Sequence, residues 1–570
     1  ISSGTEALRA SRDVILFDQR GTAHSNELFC PPDVMAVSPD TIEQDTAAAQ
    51  ARFDALDIGA FSDPDEVYNA VADAQAMFDL SRCLSYFAEQ GTDLAQYTTA
   101  NTVLDTIAVM DHLGYDTYNL YGGSYGTKVV LSVLDYYEQS DRAELPAIRT
   151  AVLDSVAPPD VPFYEQGFEI AYVVLGIFDD CEADPDCGAA YPNIRERVVT
   201  LLSELDAEPI VRADTTDITG AALAEILRTA VTAQTDLVPY LPRLVADLEA
   251  GRTDLFDLAL PVARHETTLP VGETGADPTP SETVFTQTQS EVDAISAQLD
   301  EVLESVQVLA GTTAMLRDAA LRSDGRADFL LALFDTSSRI GGTIGSTVVE
   351  QLRTFLLHPE QRTAVGLANL IRRTIFFPAL QAEMLAIVDA LDEAEVQQVF
   401  SILVSPAFQT GLAGIGSITN RTVTCNDLAA TMFNAAAFGQ YRAFEAPELI
   451  GVSAHWVANY QFSCEALGLA ADAPAPLPPA VKSDVPTLML AGSLDTATPA
   501  VHAYRAAQSL SAARVVELPM QGHVSGLMTD CGRSLVHAFV LSPDVPPNTD
   551  CLAAARPVFI LPDDPLPEGS

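Results

Sequence analysis

Three residues far apart in the sequence carry side chains that together can perform acyl transfer: Ser124, Asp495 and His523. A serine hydroxyl is a poor nucleophile at its own pKa, so a base within hydrogen-bond distance must accept its proton. We assign that role to His523, which then returns the proton as a general acid. Asp495 would hold the histidine tautomer and stabilise the imidazolium. These side-chain types predict a Ser–His–Asp triad if the fold brings them together.

The pentapeptide around Ser124 has the sequence of a tight strand-to-helix turn. It reads Gly-Gly-Ser-Tyr-Gly. Residues 115–121 before it are typical of a short buried strand, and the residues after it are typical of a helix packed on a sheet. A G-x-S-x-G sequence in that setting predicts a nucleophile elbow, in which only glycine fits at Gly122 and Gly126. The serine then lies at a helix N-terminus, where the backbone N–H of Tyr125 can donate to an oxyanion.

Asp495 and His523 each follow a segment typical of a strand. Asp495 comes shortly after the apolar residues 485–492, and His523 comes shortly after residues 514–519. Active sites of open parallel sheets form at the carboxyl ends of the strands, so all three candidates are expected at one edge of a sheet. Their order along the chain, serine then acid then histidine, is the order that accompanies this kind of elbow.

Each candidate also has an interpretation without catalysis. Ser124 fits a turn serine, Asp495 fits a cap of the following helix, and His523 fits a surface-loop histidine. The order and the strand context of the three residues together favour the triad. The remaining histidines lack this context, because they lie in helix-like stretches or in polar loops: His24, His112, His265, His358, His455, His502 and His537.

Three stretches of the chain resemble a known family. Residues 13–22 look like the strand and the Asp-Gln-Arg-Gly turn of the prolyl iminopeptidase and tripeptidyl aminopeptidase group of serine peptidases, and the elbow at 122–127 resembles that of the same group. Residues 486–531 resemble the C-terminal region of secreted tripeptidyl aminopeptidase-like proteins. The resemblance covers roughly residues 10–160 and 420–555.

The resemblance implies an α/β-hydrolase fold, with a mostly parallel sheet and a large helical cap inserted between core strands. It also implies release of single residues or short peptides from a free peptide N-terminus through an acyl-enzyme, without a metal or another cofactor. Such hydrolases carry further strands and a His-Gly-Gly-Pro-Gly-like oxyanion loop before the Asp-Gln-Arg-Gly segment. The present sequence begins at Ile1, after that point, so we expect N-terminal strands to be missing and leave the second oxyanion donor unassigned.

The domain organisation follows from where the strand-like segments stop and resume. We predict a first part of the hydrolase core at residues 1–158, a mainly helical cap at 159–480 and a second part of the core at 481–570. Residues 266–282, rich in Thr, Pro and Gly, are typical of an exposed loop within the cap. The cap is expected to cover the catalytic serine and to select substrates. Helical periodicity marks residues 198–205, 221–233, 292–309, 364–375 and 379–391.

The composition restricts the partners. The chain has 79 acidic and 30 basic residues and a formal net charge of −49, which would repel nucleic acids and anionic membrane surfaces. No apolar run reaches the roughly 18 residues of a membrane span. We therefore expect no nucleic acid and no membrane span, while the small peptide or ester substrate is what the triad and the family resemblance imply. The sequence leaves the oligomeric state open.

The chain contains eight cysteines. They form no Cys-x-x-Cys or clustered His/Cys pattern, which argues against zinc. Disulfides in a secreted or otherwise extracytoplasmic protein are the favoured interpretation, and free buried thiols are the alternative. Proximity along the chain suggests four pairs, although many other connectivities exist. The suggested pairs are Cys30 with Cys83, Cys181 with Cys187, Cys425 with Cys464, and Cys531 with Cys551.

Three functions are compatible with these observations. The leading hypothesis is a serine exopeptidase that acts on peptides with free N-termini. The second is a carboxylesterase, because the same triad cleaves esters. The third is a catalytically silent binding protein with a hydrolase fold. The third hypothesis is motivated by the unassigned oxyanion loop and is opposed by the complete Ser/Asp/His set.

Overall fold

The protein divides into two compact units, Ile1–Leu269 with Gly416–Pro565, and Pro270–Ile415 with Leu566–Ser570. The first unit contains all three candidate residues. The computed structural model describes residues 6–22, 25–26, 28, 83–140, 145–212, 217–264, 267, 269, 362–374, 385–389, 391–403, 417–428, 440–441, 443–450, 457, 460, 463–465, 467–469 and 477–566.

A parallel four-stranded sheet organises the first unit, with the strand order β1-β2-β3-β4. In its register Gly123 pairs with Asp154, Asp154 pairs with Leu490, and Gly492 pairs with Leu518. The carboxyl ends of the strands therefore lie along one edge, although the helical insertion separates β2 from β3 in sequence. The strands are β1 (Thr117–Gly123), β2 (Ala147–Asp154), β3 (Thr487–Gly492) and β4 (Ala513–Leu518).

Helices make up most of the remaining described structure. In chain order the α-helices are α1 (Glu6–Arg9), α2 (Thr99–Leu113), α3 (Tyr125–Gln139), α4 (Glu169–Ala183), α5 (Pro185–Ala190), α6 (Ile194–Ala207), α7 (Gly220–Thr232), α8 (Leu241–Glu249), α9 (Asp254–Ala263), α10 (Ala364–Thr374), α11 (Glu393–Leu403), α12 (Ser417–Leu428), α13 (Ala500–Ala507) and α14 (Asp530–Leu541). Short 3₁₀ helices span Leu94–Gln96, Phe163–Phe168, Thr235–Tyr240, Pro447–Leu449 and Asp550–Ala555.

Both faces of the sheet are covered, which is why its central strands read as continuous apolar runs. Because successive side chains of a strand point to opposite faces, neighbouring residues join different clusters. Leu153 and Met489 pack with α3 and α13 on one face. Val152 and Leu488 pack with α14 on the other face. These two layers hold the strand ends, and therefore the candidate residues, in a fixed arrangement.

The described part of the insertion between β2 and β3 is helical. The expected helices at 198–205, 221–233 and 364–375 correspond to α6, α7 and α10. Within the expected helix at 379–391, residues 385–389 are helical. The expected helix at 292–309, and nearly all of the expected loop at 266–282, lie outside the described residues.

The second unit contains the two amphipathic helices α10 and α11. In α10 the apolar positions Leu367, Leu370 and Ile371 are buried, and in α11 Val396, Val399 and Phe400 are buried. The spacing of these residues at three or four positions places them on one side of each helix.

Residues 13–19 do not form the strand that the family resemblance implied. They have no regular secondary structure, and Leu16 is 68% exposed. A strand forms only when its N–H and C=O groups pair with a neighbour, and within the described residues this segment pairs with none. The turn that follows is well anchored, because Arg20 donates to Asp105 at 2.7 Å and Gly21 has a φ of 82°.

Three of the four suggested cysteine pairs lie wholly within the described residues, and all three are disulfides. Their Cα–Cα distances are 5.2 Å for Cys181–Cys187, 5.2 Å for Cys425–Cys464 and 5.7 Å for Cys531–Cys551. Cys83 is disulfide-bonded as well, and Cys30 lies outside the described residues. Within the described part of the chain, no helix has both the length and the apolar character required to cross a bilayer.

Candidate active site

The edge formed by the strand ends brings the loops of Ser124, Asp495 and His523 together. Ser124 directly follows β1, Asp495 follows β3 by three residues, and His523 follows β4 by five residues. Direct packing joins two of these loops, since a methyl group on Gly123 would lie 2.9 Å from Cγ1 of Val524. The structure therefore places the neighbours of the serine against the neighbours of the histidine.

The turn at Ser124 has the backbone of a nucleophile elbow. Ser124 has φ 53° and ψ −124°, a conformation that non-glycine residues rarely adopt. A Cβ on Gly122 would lie 2.3 Å from the carbonyl oxygen of Gly126, so the turn admits only glycine at that position. The expectation that Gly126 is equally constrained is wrong. Among the described residues a Cβ there meets nothing within 4 Å, because Gly126 contributes its backbone to the close contact.

Asp495 and His523 are in direct contact, as the expected triad requires. His523 Nδ1 lies 2.9 Å from Asp495 Oδ1. The carboxylate is completely buried and accepts three further hydrogen bonds. The backbone N–H groups of Ala497 and Thr498 donate to Oδ1 at 3.0 and 2.9 Å, and the Thr498 hydroxyl donates to Oδ2 at 2.8 Å. These donors fix the carboxylate, which in turn orients the ring of His523 through Nδ1. Within the described residues no hydrogen bond joins the Ser124 side chain to His523.

The charges of the pair reinforce one another. Burial opposes the ionisation of Asp495, but the hydrogen bond and charge of His523 bring the pKa of Asp495 below its ordinary value. Burial also opposes the imidazolium, but the hydrogen bond and charge of Asp495, together with the charge of Asp154, raise the pKa of His523 above 6.5. This is the electrostatic arrangement of a base that must gain a proton during a reaction.

Asp154 and Ser155, at the end of β2, were not singled out in the sequence. Asp154 is 1% exposed, and its Oδ2 accepts from the Tyr121 hydroxyl at 2.6 Å and from the Gly526 N–H at 2.9 Å. Burial raises the pKa of Asp154 to about 6. Active-site residues of open parallel sheets lie at the carboxyl ends of the strands. By that criterion Asp154, an acid at the end of a buried strand, is a candidate in the same way as Asp495.

Side-chain contacts fix Tyr125, the residue that follows Ser124. Tyr125 is the first residue of α3, so its N–H belongs to the first turn, whose donors have no carbonyl partner within the helix. Its hydroxyl lies 2.8 Å from Thr99 Oγ1. The N–H of Thr99 donates to both carboxylate oxygens of Asp427 at 3.1 Å. This chain of contacts fixes the residue whose N–H is the expected oxyanion donor.

A pocket of about 530 Å³ lies beside the acid loop. Its position follows from α13, which begins five residues after Asp495 and lines one side. The walls combine aromatic rings with charged groups, which suits a ligand that has both an apolar and a polar part. The lining includes Phe168, Tyr172, Phe444, Glu165, His502 and Arg505.

His502 is a buried histidine without a partner for its ring. It is 4% exposed, and within the described residues neither ring nitrogen has a hydrogen-bond partner. Burial and the charge of Arg505 lower the pKa of His502 to about 4. The expectation that this histidine is a packing residue agrees with that environment. His112 and His537 lie on helices α2 and α14, and the other four histidines without a triad role lie outside the described residues.

Replacing His502 by leucine is expected to remove an acid-dependent loss of stability. Between pH 6.5 and about 4 the unfolded chain binds a proton at this position and the folded chain does not, so the folded state loses stability as the pH falls. The shift of roughly 2.5 pKa units corresponds to about 3 kcal/mol. Urea unfolding is measured at pH 7, 5.5 and 4.5. As the pH falls, the free energy of unfolding of His502→Leu should increase relative to that of the wild type. The exposed His112→Leu is the matched control, and a constant difference for His502→Leu would contradict the expectation.

Comparison with known proteins gives one family match. Residues 449–551 match the Abhydrolase_4 family, described as TAP-like protein. The comparison with curated proteins finds no match. The matched segment contains β3, β4, Asp495 and His523. Together with the parallel sheet and its flanking helices, this match identifies the fold as that of the α/β-hydrolases, as the sequence predicted, and it indicates a hydrolase.

Proposed function

We propose that the protein is a secreted serine hydrolase that releases residues or short peptides from free peptide N-termini through an acyl-enzyme. The observation that carries the proposal is the strained Ser124 at the edge where His523 contacts a buried Asp495 at 2.9 Å. In the reaction His523 accepts the Ser124 proton as the hydroxyl attacks the scissile carbonyl. The N–H of Tyr125 donates to the oxyanion, and His523 returns the proton to the leaving amine. Water then hydrolyses the acyl-enzyme by the same steps.

Acidic groups beside the pocket support a preference for substrates with a free ammonium group. Glu169 is 5% exposed, and burial together with the charges of Asp495 and Glu165 raises its pKa well above the ordinary value. Burial also raises the pKa of Glu165, which outweighs the effect of Arg505 at 3.3 Å. A cation entering this region would relieve the repulsion between the carboxylates and favour their ionised forms.

Secretion is proposed from the cysteines. Disulfides persist in oxidising compartments and are rare in the cytosol. The Cys425–Cys464 bond joins α12 to the segment before the second part of the core, and Cys531–Cys551 closes a loop after His523.

A substrate panel tests the proposal against its alternatives. The same acyl group is offered as a free-amine peptide anilide, as an N-acetylated anilide and as a simple ester. A serine exopeptidase should cleave the free-amine anilide and leave the acetylated anilide intact, whereas a carboxylesterase should prefer the ester. Glu169→Gln should raise KM for the free-amine substrate and leave the ester unaffected. No turnover of any substrate by the folded protein, without labelling by a fluorophosphonate, would favour a silent binding protein.

A further inference from the structure

We propose that the Asp154–Ser155 pair at the end of β2 is a positioning device that holds the three loops of the catalytic triad in their working arrangement. The inference rests on the proposed function, because it assigns a role relative to Ser124, Asp495 and His523. Neither residue of the pair would touch the reacting atoms. The pair acts through the residues that do, so it is distinct from the triad itself.

The contacts of the pair reach all three loops. The carbonyl oxygen of Asp154 accepts the backbone N–H of Ser124 at 2.9 Å. The carboxylate of Asp154 accepts the N–H of Gly526 at 2.9 Å, and Oγ of Ser155 accepts the N–H of Val524 at 2.7 Å, on the loop that carries His523.

The Ser155 hydroxyl also interacts with the carboxylate of Asp495. A serine hydroxyl can accept one hydrogen bond while it donates another. Burial opposes the ionisation of Asp495, and the Ser155 hydroxyl is, after His523, among the groups that lower the pKa of that carboxyl. The N–H of Ser155 donates to the carbonyl of Leu490 in β3 at 2.9 Å, which fixes the distance between the pair and the acid loop.

The backbone conformation at position 155 favours glycine, so the presence of a serine there indicates that its hydroxyl has a role. Ser155 has a φ of 66° and is 1% exposed. Glycine adopts that conformation without strain, whereas other residues are strained there and must be held by their surroundings. Val524, the residue that it holds, also has a positive φ of 52°. One hydrogen bond therefore joins Ser155 and Val524, two residues with strained backbone conformations. Both belong to the loops that orient the triad.

Two substitutions separate positioning from a purely structural role. Ser155→Gly removes the hydroxyl and suits the backbone, while Ser155→Ala removes the hydroxyl and keeps the strain. If only the backbone conformation mattered, Ser155→Gly would equal or exceed the wild type. The matched control is Ser483→Ala, since Ser483 is also buried and its Oγ accepts a backbone N–H, that of Val485, before the start of β3.

Two measurements on the full chain test whether Ser155 positions the loop of His523. Amide hydrogen exchange by mass spectrometry follows the peptide containing Val524, and a fluorophosphonate probe follows the rate of labelling at Ser124. We expect both Ser155 variants to exchange faster at this peptide and to label about tenfold more slowly, because the N–H of Val524 loses its buried acceptor. Ser155→Gly should keep its melting temperature, and Ser483→Ala should match the wild type in both measurements.

The outcomes distinguish the two proposals. Wild-type exchange at this peptide in both Ser155 variants would overturn the positioning role, and so would wild-type labelling by Ser155→Gly. If the wild type itself is never labelled, the proposed function fails, and the exchange rates still decide whether the pair holds the loop of His523. Faster exchange in both variants supports the positioning role in either case.

Discussion

Replacing Ser124 by alanine is expected to reduce turnover by about 10⁴- to 10⁶-fold, because no other group can form the acyl-enzyme. The side chain contributes only its hydroxyl, and alanine keeps a Cβ in the strained turn, so the fold should be retained. Initial rates on the best substrate of the panel give the loss, and mass mapping after fluorophosphonate treatment should show that the Ser124 peptide no longer carries the adduct.

Ser132→Ala provides the matched control for this experiment. Ser132 lies on the same helix, α3, two turns beyond the nucleophile. Its substitution should leave both the rate and the labelling unchanged. Equal turnover by Ser124→Ala and the wild type would mean that the observed hydrolysis does not use the elbow, and the proposed mechanism would have to be abandoned.

Asp495→Asn is expected to reduce kcat by about 10⁴-fold, with a much smaller change in KM. An amide in place of the carboxylate can donate to Nδ1 of His523, which favours the wrong tautomer, and it cannot stabilise the imidazolium. Oδ1 of Asp495 faces His523 and also accepts the N–H groups of Ala497 and Thr498, so an amide nitrogen turned toward the ring gives up those two contacts. The melting temperature of the variant is therefore measured beside kcat. The exposed Asp544→Asn should behave as the wild type.

The pH profile provides a second readout for Asp495→Asn. The wild type needs neutral His523, so kcat/KM should rise with pH through the pKa of that residue, which lies above 6.5. Loss of the Asp495 charge removes the main attraction for the proton. The acid limb of the residual activity should therefore move to lower pH, although Asp154 still faces the ring. An unchanged limb in the variant would indicate that another group titrates there.

The strand and helix patterns near the site were readable from the sequence because their determinants are local. The apolar run at 485–492 and the segment at 514–519 became β3 and β4 within a few residues at either end, and the helix after Ser124 became α3. The restriction at Gly122 was predictable as well, since the steric limits of a tight turn depend on its own backbone.

Other features depended on contacts between distant parts of the chain. Residues 13–19 have the apolar composition of a strand, but composition cannot supply the neighbouring strand that its backbone needs. The contacts of Asp154 and Ser155 were not predictable from the sequence either. Their importance comes from the loop of His523, which reaches them only because β2 lies beside β3 and β4 lies beyond it.

By itself the sequence determined the chemistry that is available: a serine in a glycine-flanked turn, an acid and a histidine after two later strands, and cysteines near enough to pair. Those properties depend on residue type and on short spacings. The tertiary structure alone decided the strand order, and thereby which strand ends share an edge. It also placed Thr498 against Asp495, and Asp154 and Ser155 against the loop of His523. Hydrogen bonds between loops depend on where the backbone of one element passes the side chains of another, and no local pattern encodes that.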